Sequence, residues 1–368
     1  MAPSVADIKA ATESVVDSVA QLKIANNTPA APVESEITDS GPSYPGYVPY
    51  FDREEKFPPL EIFEHSDPGL LANPAKPNLL TENAKVSHIS PYLGTEVRGV
   101  QLSQLSKDGL NELALYVAER KVVIFRDQDF KDLGFDRQIE IARHYGPIHR
   151  HPTSGNVKGY PEFHVVYRDS KENRFKDYRG GNNLSSLQWH SDVTYEKQPP
   201  STTFFFIFDQ PTVGGDTLFA SQVEAYKRLS PKFQKRLEGL KALHSAVYQA
   251  DFSRQRDGPV RREPVETEHP VVRVHPVTGE KALFVNEGFT RSIVGFKKEE
   301  SDFLLKFLID HIAKGADFQI RARYEPGTVV VWDNRLVVHS VNPDYGPEFR
   351  RHAVRLTPQA EVPIAATA

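Results

Sequence analysis

Apolar residues recur at helical spacing in some stretches of the chain and in unbroken runs in others. Leu110, Leu113, Ala114 and Val117 share one face of a 3.6-residue period and predict a helix. Phe135, Ile139 and Ala142 predict a second helix, stopped at Gly146, and Leu304, Phe307 and Leu308 a third that ends by Gly315. Val122-Val123-Ile124-Phe125 reads as a buried strand, and Thr202 to Phe208 as a strand of high aromatic content. Near the C-terminus, Phe318–Tyr324 alternates apolar residues with Gln319, Arg321 and Arg323. Thr328–Trp332 follows the Pro326-Gly327 turn, Val337-Val338 is a further apolar strand, and Phe349–Thr357 closes the set. Two helix starts stand out. Ser221 with Glu224 has the spacing of a capping box, and Ser230-Pro231 is a cap followed by proline. Strands dominate toward the C-terminal half, with helices between and outside them. The pattern predicts a mainly β fold with helical insertions, a β-sandwich or jelly roll.

The chain divides by composition into three parts. Residues 1–45 are rich in Ala, Ser, Pro and Glu and read as a flexible arm; Val5, Ile8, Val15, Val16, Val19 and Leu22 have helical spacing within it. Residues 46–85 carry many prolines and aromatics and read as an extended wrap. Residues 86–360 read as the body.

Composition removes several function classes. With 368 residues, 39% of them hydrophobic, the chain can bury a sizeable core. The net charge is −4 with both signs spread along the chain, so no basic stripe points to nucleic acid. No run of eighteen apolar residues spans a membrane. The first arginine is Arg53 and acidic residues interrupt the early stretch, so neither a secretory nor a mitochondrial signal is expected and the cytosol is the default. There is no cysteine, which leaves histidine and carboxylate as ligands for a transition metal.

Trp189-His190-Ser191-Asp192 supplies such ligands, and Val338-His339-Ser340 lies far downstream. Two imidazoles and one carboxylate can take one face of an iron ion and leave the opposite face open, the arrangement of an oxygenase. Arg355, sixteen residues after His339, suits the far carboxylate of a 2-oxoglutarate co-substrate. In a strand, His190 and Asp192 would project to one face. A bare His-x-Asp is weak, since about one match is expected by chance. His65-Ser66-Asp67 is such a match, and with Pro68 next it reads as a turn in which Asp67 bonds its own backbone. The bland reading of His190 is a buried, hydrogen-bonded histidine, and of Asp192 a turn or cap. Trp332-Asp333-Asn334-Arg335 reads as a turn that aims His339, with Asp333 bonding backbone amides. His88, His144, His164, His244, His269, His275, His311 and His352 read as surface or satisfied polar groups.

At these residues the chain resembles the taurine dioxygenase family of Fe(II)/2-oxoglutarate-dependent oxygenases. The resemblance rests on Trp189-His190-Ser191-Asp192-Val193-Thr194, Gly214-Gly215-Asp216-Thr217-Leu218, and the stretch from His269 to Pro276. It continues through Leu283 to Thr290, Val331 to Arg335, and the closing arginine strand. It runs from about Ile89 to Pro358. The fungal sulfonate dioxygenase branch is more similar still, sharing Glu64 to Leu70, Gln198-Pro199-Pro200 and Arg355 to Glu361.

The resemblance implies a double-stranded β-helix, the jelly roll already expected. It implies His190, Asp192 and His339 as iron ligands, and Thr217 and Arg355 as the holders of the 2-oxoglutarate carboxylate. Arg351 shares a strand face with Arg355; it either adds positive potential there or makes a surface salt bridge. For the primary substrate it implies His151 and Arg355 on a sulfonate, with His151 as a cation, and Phe289 lining the pocket. Where the family binds taurine's amine with an aromatic hydroxyl and an amide, this chain has Ser154 and Ser186. The implied reaction uses Fe(II), 2-oxoglutarate and O₂. It hydroxylates the carbon next to sulfur and releases sulfite and an aldehyde, with succinate and CO₂. The family also implies a homo-oligomer. Three alternatives stay open. An alkyl sulfate ester, an aryloxyacetate or a purine could be the substrate of the same chemistry. A non-catalytic metal-binding jelly roll is disfavoured by the carboxylate clamp, and a zinc hydrolase by the lack of a general base.

Overall fold

Every second residue of the central strands faces a different apolar layer, which is why those strands read as unbroken hydrophobic runs. The structure, a computed structural model, describes residues 41–169, 188–346 and 348–367. In chain order its strands are Lys85–His88 (β1), Thr95–Arg98 (β2), Val122–Phe125 (β3), Asn156–Val157 (β4), Tyr160–Arg168 (β5), Thr202–Asp209 (β6) and Thr217–Ser221 (β7). There follow Lys241–Ser245 (β8), Glu266–Pro270 (β9), Val272–Val274 (β10), Lys281–Leu283 (β11) and Thr290–Ile293 (β12). The last are Gln319–Ala322 (β13), Val329–Asp333 (β14), Val337–Val341 (β15), Arg351–Leu356 (β16) and Ile364–Ala365 (β17). Among the described residues an eight-stranded sheet runs β1-β2-β3-β14-β6-β16-β5-β4, and a smaller sheet runs β13-β7-β15. The two sheets pack as the layers of a jelly roll.

Between the sheets lie Val122, Ile124, Phe205, Val330, Trp332 and Ala353, with Phe219 and Val337 from the smaller sheet. The alternate residues of the same strands, such as Val123, Phe204, Phe206, Val329, Val331 and Val354, belong to a second cluster on the outer face. Helix α1 (Lys107–Arg120) contributes Leu113, Ala114 and Val117 to that cluster, and α2 (Phe135–Arg143) contributes Ile139 and Ala142. These are the positions the helical periodicity predicts. The outer face of the smaller sheet is covered by a third cluster that includes Leu305 and Leu308 of a helix spanning Lys298–Ala313. Each such side chain taken from water contributes roughly 1.5–3 kcal/mol.

Local chemistry matches the sequence reading in part. Ser221 Oγ accepts from Glu224 N at 3.1 Å, but the Glu224 carboxylate holds Arg228 and Lys227 instead of returning to the cap. The expected capping box is therefore half formed, because the carboxylate is taken up by two cations. The helix Pro231–Leu237 begins at Pro231 without a side-chain cap bond from Ser230. Residues before β1 have little regular structure and attach by hydrogen bonds to distant elements: Phe57 N donates to Arg261 O, and Phe63 N to Gln198 Oε1. The predicted helical stripe between Val5 and Leu22 lies outside the described residues. Among the described residues no helix is long and apolar enough to cross a membrane.

Candidate active site

His190 and His339 face each other across an antiparallel bridge. His190 N donates to His339 O at 3.0 Å, and His339 N donates to His190 O at 2.7 Å. Residues opposed in this way carry their side chains on one side of the ladder, and the two ring centroids are 4.3 Å apart. Asp192 arrives differently from the sequence expectation. Extended pairing ends at the His190 bridge, and the chain turns at once, with Val193 at φ 41°. The turn is held from outside. Asn334 Oδ1 accepts from Asp192 N at 2.7 Å, Asn334 Nδ2 donates to Asp192 O at 3.0 Å, and Ser191 Oγ donates to Val337 O at 2.7 Å. Asn334 thus acts as a positioning residue that sequence reasoning placed only in a turn.

The result is a cluster. Asp192 Oδ1 lies 3.7 Å from His190 Nε2 and 3.5 Å from His339 Nε2, and the three possible ligand atoms all lie within 4.8 Å of one another. Burial, then the neighbouring His190 and Arg355, hold the His339 pKa well below the ordinary imidazole value, so the ring is neutral as a ligand must be. Asp192 is buried, and its Oδ2 meets no donor. An unpaired buried carboxylate oxygen is costly. A divalent cation at this point would remove that cost, and the donor set fits Fe(II) with open positions opposite.

Trp332 and Asp333 end β14 and the turn itself begins at Asn334; of the backbone bonds expected for Asp333, one is present. Asp333 Oδ1 accepts from Arg335 N at 2.9 Å, and Asp333 pairs with the Arg335 guanidinium and with His275. Asp67 Oδ1 accepts from Gly69 N at 2.7 Å, the local turn predicted for it. Its Oδ2 also pairs with Arg335 Nη1 at 2.7 Å, fully inside the protein. The decoy motif therefore serves as a buried anchor beneath the turn that aims the third ligand, a role no local pattern could reveal.

The two arginines of β16 go to opposite ends of the site. Their backbones are about 13 Å apart along the strand, and their guanidinium groups find different partners. Arg351 Nε donates to Gly215 O at 3.0 Å, and its guanidinium lies over the Tyr324 ring, 5.6 Å from the centroid. Tyr324 Oη in turn hydrogen-bonds Thr217 Oγ1 at 2.6 Å. Gly215 sits at φ +71°, a backbone conformation that favours glycine. Arg355 instead donates from Nη1 to Asp192 Oδ1 and from Nη2 to His164 Nδ1, both at 2.6 Å. Arg351 is thus the guanidinium at the Thr217 end and is buried rather than in a surface salt bridge, while Arg355, expected beside Thr217, contacts Asp192 and His164. Arg261, Arg273 and Arg335, equally buried, each pair with a carboxylate. Among the described residues Arg351 pairs with none, and its Nη2 meets no acceptor. A buried guanidinium left in that state suits a ligand carboxylate.

His151 lies on the Arg355 side. Its Nδ1 accepts from Thr153 N and Ser154 N, and its ring is 4.4 Å from that of His164. Burial, then His149 and the Arg355 charge, push its pKa well below the ordinary value. With two amides donating to it, His151 Nδ1 carries no proton here, where the sequence reading expects an imidazolium. Phe289 lies 6.2 Å from the His190 ring and packs with Val193, Tyr195 and Ala246. The Ser154 backbone carbonyl accepts from Arg261 Nη1 at 2.7 Å; Ser186 lies outside the described residues. Of the histidines expected to be satisfied polar groups, His244 bonds Thr194 Oγ1, His275 bonds Asp333, and His352 bonds Tyr47 O. His164 departs from that expectation, because it touches Arg355 and His151.

Comparison with known proteins agrees with this geometry. Residues 85–357 match the family described as taurine catabolism dioxygenase TauD, TfdA. An alpha-ketoglutarate-dependent dioxygenase, cnsM, of Penicillium expansum is 50% identical over 336 residues, covering 90% of this chain and 93% of the relative. The alpha-ketoglutarate-dependent sulfonate dioxygenase of Saccharomyces cerevisiae is 46% identical over 325 residues, covering 87% and 79%. The crystal structure of a taurine dioxygenase from Burkholderia xenovorans superposes with a TM-score of 0.62 at 27% identity, over 78% of this chain and 95% of that one. The chain therefore belongs to the TauD/TfdA family and is a 2-oxoglutarate-dependent dioxygenase, with Fe(II), 2-oxoglutarate and O₂ as its reaction partners.

Proposed function

We propose that this dioxygenase hydroxylates the carbon next to sulfur in an organic sulfonate. In this reading His190, Asp192 and His339 hold Fe(II), and Thr217 and Arg351 hold the far carboxylate of 2-oxoglutarate. Arg355 and His151 receive the sulfonate, and Phe289 lines the pocket beside the substrate's carbon chain. Bound iron and 2-oxoglutarate supply the activation of O₂, with succinate and CO₂ as co-products. One oxygen atom enters succinate and the other the substrate carbon. The hydroxylated carbon then expels sulfite: the C–S bond breaks with its electron pair on sulfur, the hydroxyl proton leaves, and an aldehyde forms.

The observation that carries this reading is the position of Arg355 against Asp192. Once a cation takes up the Asp192 charge, Arg355 is left as an uncompensated positive group beside the reacting centre, with a buried Nε that meets no acceptor. An anionic substrate restores the balance. An apolar group around Phe289 also borders the triad, 6.2 Å from the His190 ring. A charged head with an apolar tail suits both features. The similarity to the yeast sulfonate dioxygenase supports the same substrate class. The test is a sulfite-release assay over a panel of sulfonates and sulfate esters, with Fe(II) and 2-oxoglutarate, in air and without it. Aerobic sulfite release from sulfonates is expected. Sulfate release from the esters alone would overturn the substrate assignment.

A further inference from the structure

The interior-facing row of β5 contains one residue that packing does not explain. Phe163, Val165 and Tyr167 point outward into the cluster beneath α1 and α2. The alternate positions face between the sheets, where Val166 packs against the inner core. His164 shares that inner row, and its register partner across the sheet is Arg355. Glu162 in the same row is accounted for by ion pairs with Arg143 and Arg150, which leaves His164 as the polar ring whose placement needs a reason.

Its hydrogen bond fixes its chemistry. Arginine only donates, so the 2.6 Å contact from Arg355 Nη2 makes His164 Nδ1 an acceptor and places the ring proton on Nε2. The two backbone amides donating to His151 Nδ1 do the same for that ring. Two imidazoles 4.4 Å apart are thus held in the same tautomer, each with a donor at Nε2. Among the described residues neither Nε2–H meets an acceptor. A carboxylate at position 164 would hold Arg355 more strongly, but would cancel its charge and repel an anion. An imidazole holds the guanidinium and keeps the charge.

We propose that His164 determines anion specificity, its Nε2–H joining those of His151 and the Arg355 guanidinium as the third donor to a monoanion with three terminal oxygens. A sulfonate and a sulfate monoester share that chemistry; a planar carboxylate, with two oxygens, leaves one donor unmet. The inference rests on the proposed reading of this site as the anion end of the substrate pocket.

The experiment measures binding of butanesulfonate, butyl sulfate and butanoate by calorimetry to the whole chain loaded with Fe(II) and 2-oxoglutarate without oxygen, so that no turnover begins. His164→Asn keeps an acceptor near the Nδ1 position and removes the far donor. It is expected to weaken butanesulfonate by about tenfold to a hundredfold, with butanoate and 2-oxoglutarate affinities unchanged. The unchanged 2-oxoglutarate affinity also reports that the variant is folded. A second variant, His164→Gln, carries its amide toward the Nε2 position and is expected to retain more sulfonate affinity than His164→Asn. Wild-type sulfonate affinity in His164→Asn, with loss only in His164→Ala, would reduce His164 to a prop for Arg355 and overturn the proposal. So would equal weakening of all three anions, or no binding of butanesulfonate or butyl sulfate by the wild type. Tight sulfonate binding without sulfite release in air would instead sink the proposed reaction and leave this inference standing. Preference between butanesulfonate and butyl sulfate identifies the source of the anion.

Discussion

Arg355 Nη1 donates to Asp192 Oδ1 at 2.6 Å, so one candidate iron ligand and the candidate substrate cation are joined directly. The link couples the two halves of the site. A carboxylate that serves a cation and a guanidinium at once holds both in fixed geometry, and neither can move without the other. It also explains why Asp192 tolerates burial beside the neutral His339 imidazole.

Asp192→Ala removes the charged ligand and leaves Arg355 facing the two imidazoles. Iron-dependent 2-oxoglutarate decarboxylation is expected to disappear, measured as succinate formed per added Fe(II). Undiminished decarboxylation by this variant would show that the three residues do not hold the metal.

The separation of the two arginines predicts a split in kinetic constants. Arg351→Met should raise the KM for 2-oxoglutarate by about thirtyfold or more with little change for the sulfonate. Arg355→Met should do the reverse. Steady-state titration of each substrate against each variant decides the matter, and the opposite pattern would restore Arg355 to the co-substrate.

Gly288 lies against His190. A Cβ built there would come within 2.8 Å of His190 Cβ. Gly288→Ala should therefore displace the ring and weaken metal binding by about tenfold to a hundredfold, read by metal titration with 2-oxoglutarate present. Asn334→Ala should act in the same direction, because it frees both backbone groups of Asp192.

Acid stability should fall in two stages. Burial lowers His269 from its ordinary 6.5 to about 4, and its Nε2 bonds Glu196 O. Its folded pKa is below the unfolded one, so its contribution is complete above pH 6.5 and is lost as pH falls through about 4. Glu361 is raised by burial but lowered more by Arg335 and Arg273, and ends at about 2 rather than 4.5. Its contribution, of order 3 kcal/mol, is complete above pH 4.5 and is lost toward pH 2. Glu361→Gln should flatten the lower stage alone in urea unfolding followed across pH. Loss of the upper stage in that variant would show that the two groups are not independent.

Much of the framework was legible without coordinates. Val122–Phe125, Thr202–Asp209 and Val329–Asp333 lie between two apolar layers, and such strands carry no polar face to confuse the reading. α1 and α2 follow from their stripes because each covers one sheet face. The strand Tyr160–Arg168 was missed, since its inner row mixes Glu162, His164 and Val166 and breaks the expected alternation. His164 was missed with it. Asn334 was read only as part of a turn, because its bonds reach a residue 142 positions away.

Sequence alone determined the kinds of chemistry available: no thiolate, two histidines and an aspartate in a recognisable context, and arginines four apart on a strand. It could do so because residue type and local period are written in the chain. The tertiary structure decided which group meets which. Register between β16 and β5 set Arg355 against His164, the Gly214–Gly215 loop brought Arg351 toward Thr217, and a bridge between distant strands closed His190 on His339. Those pairings depend on long-range packing, in which one residue of register carries a side chain to the opposite face.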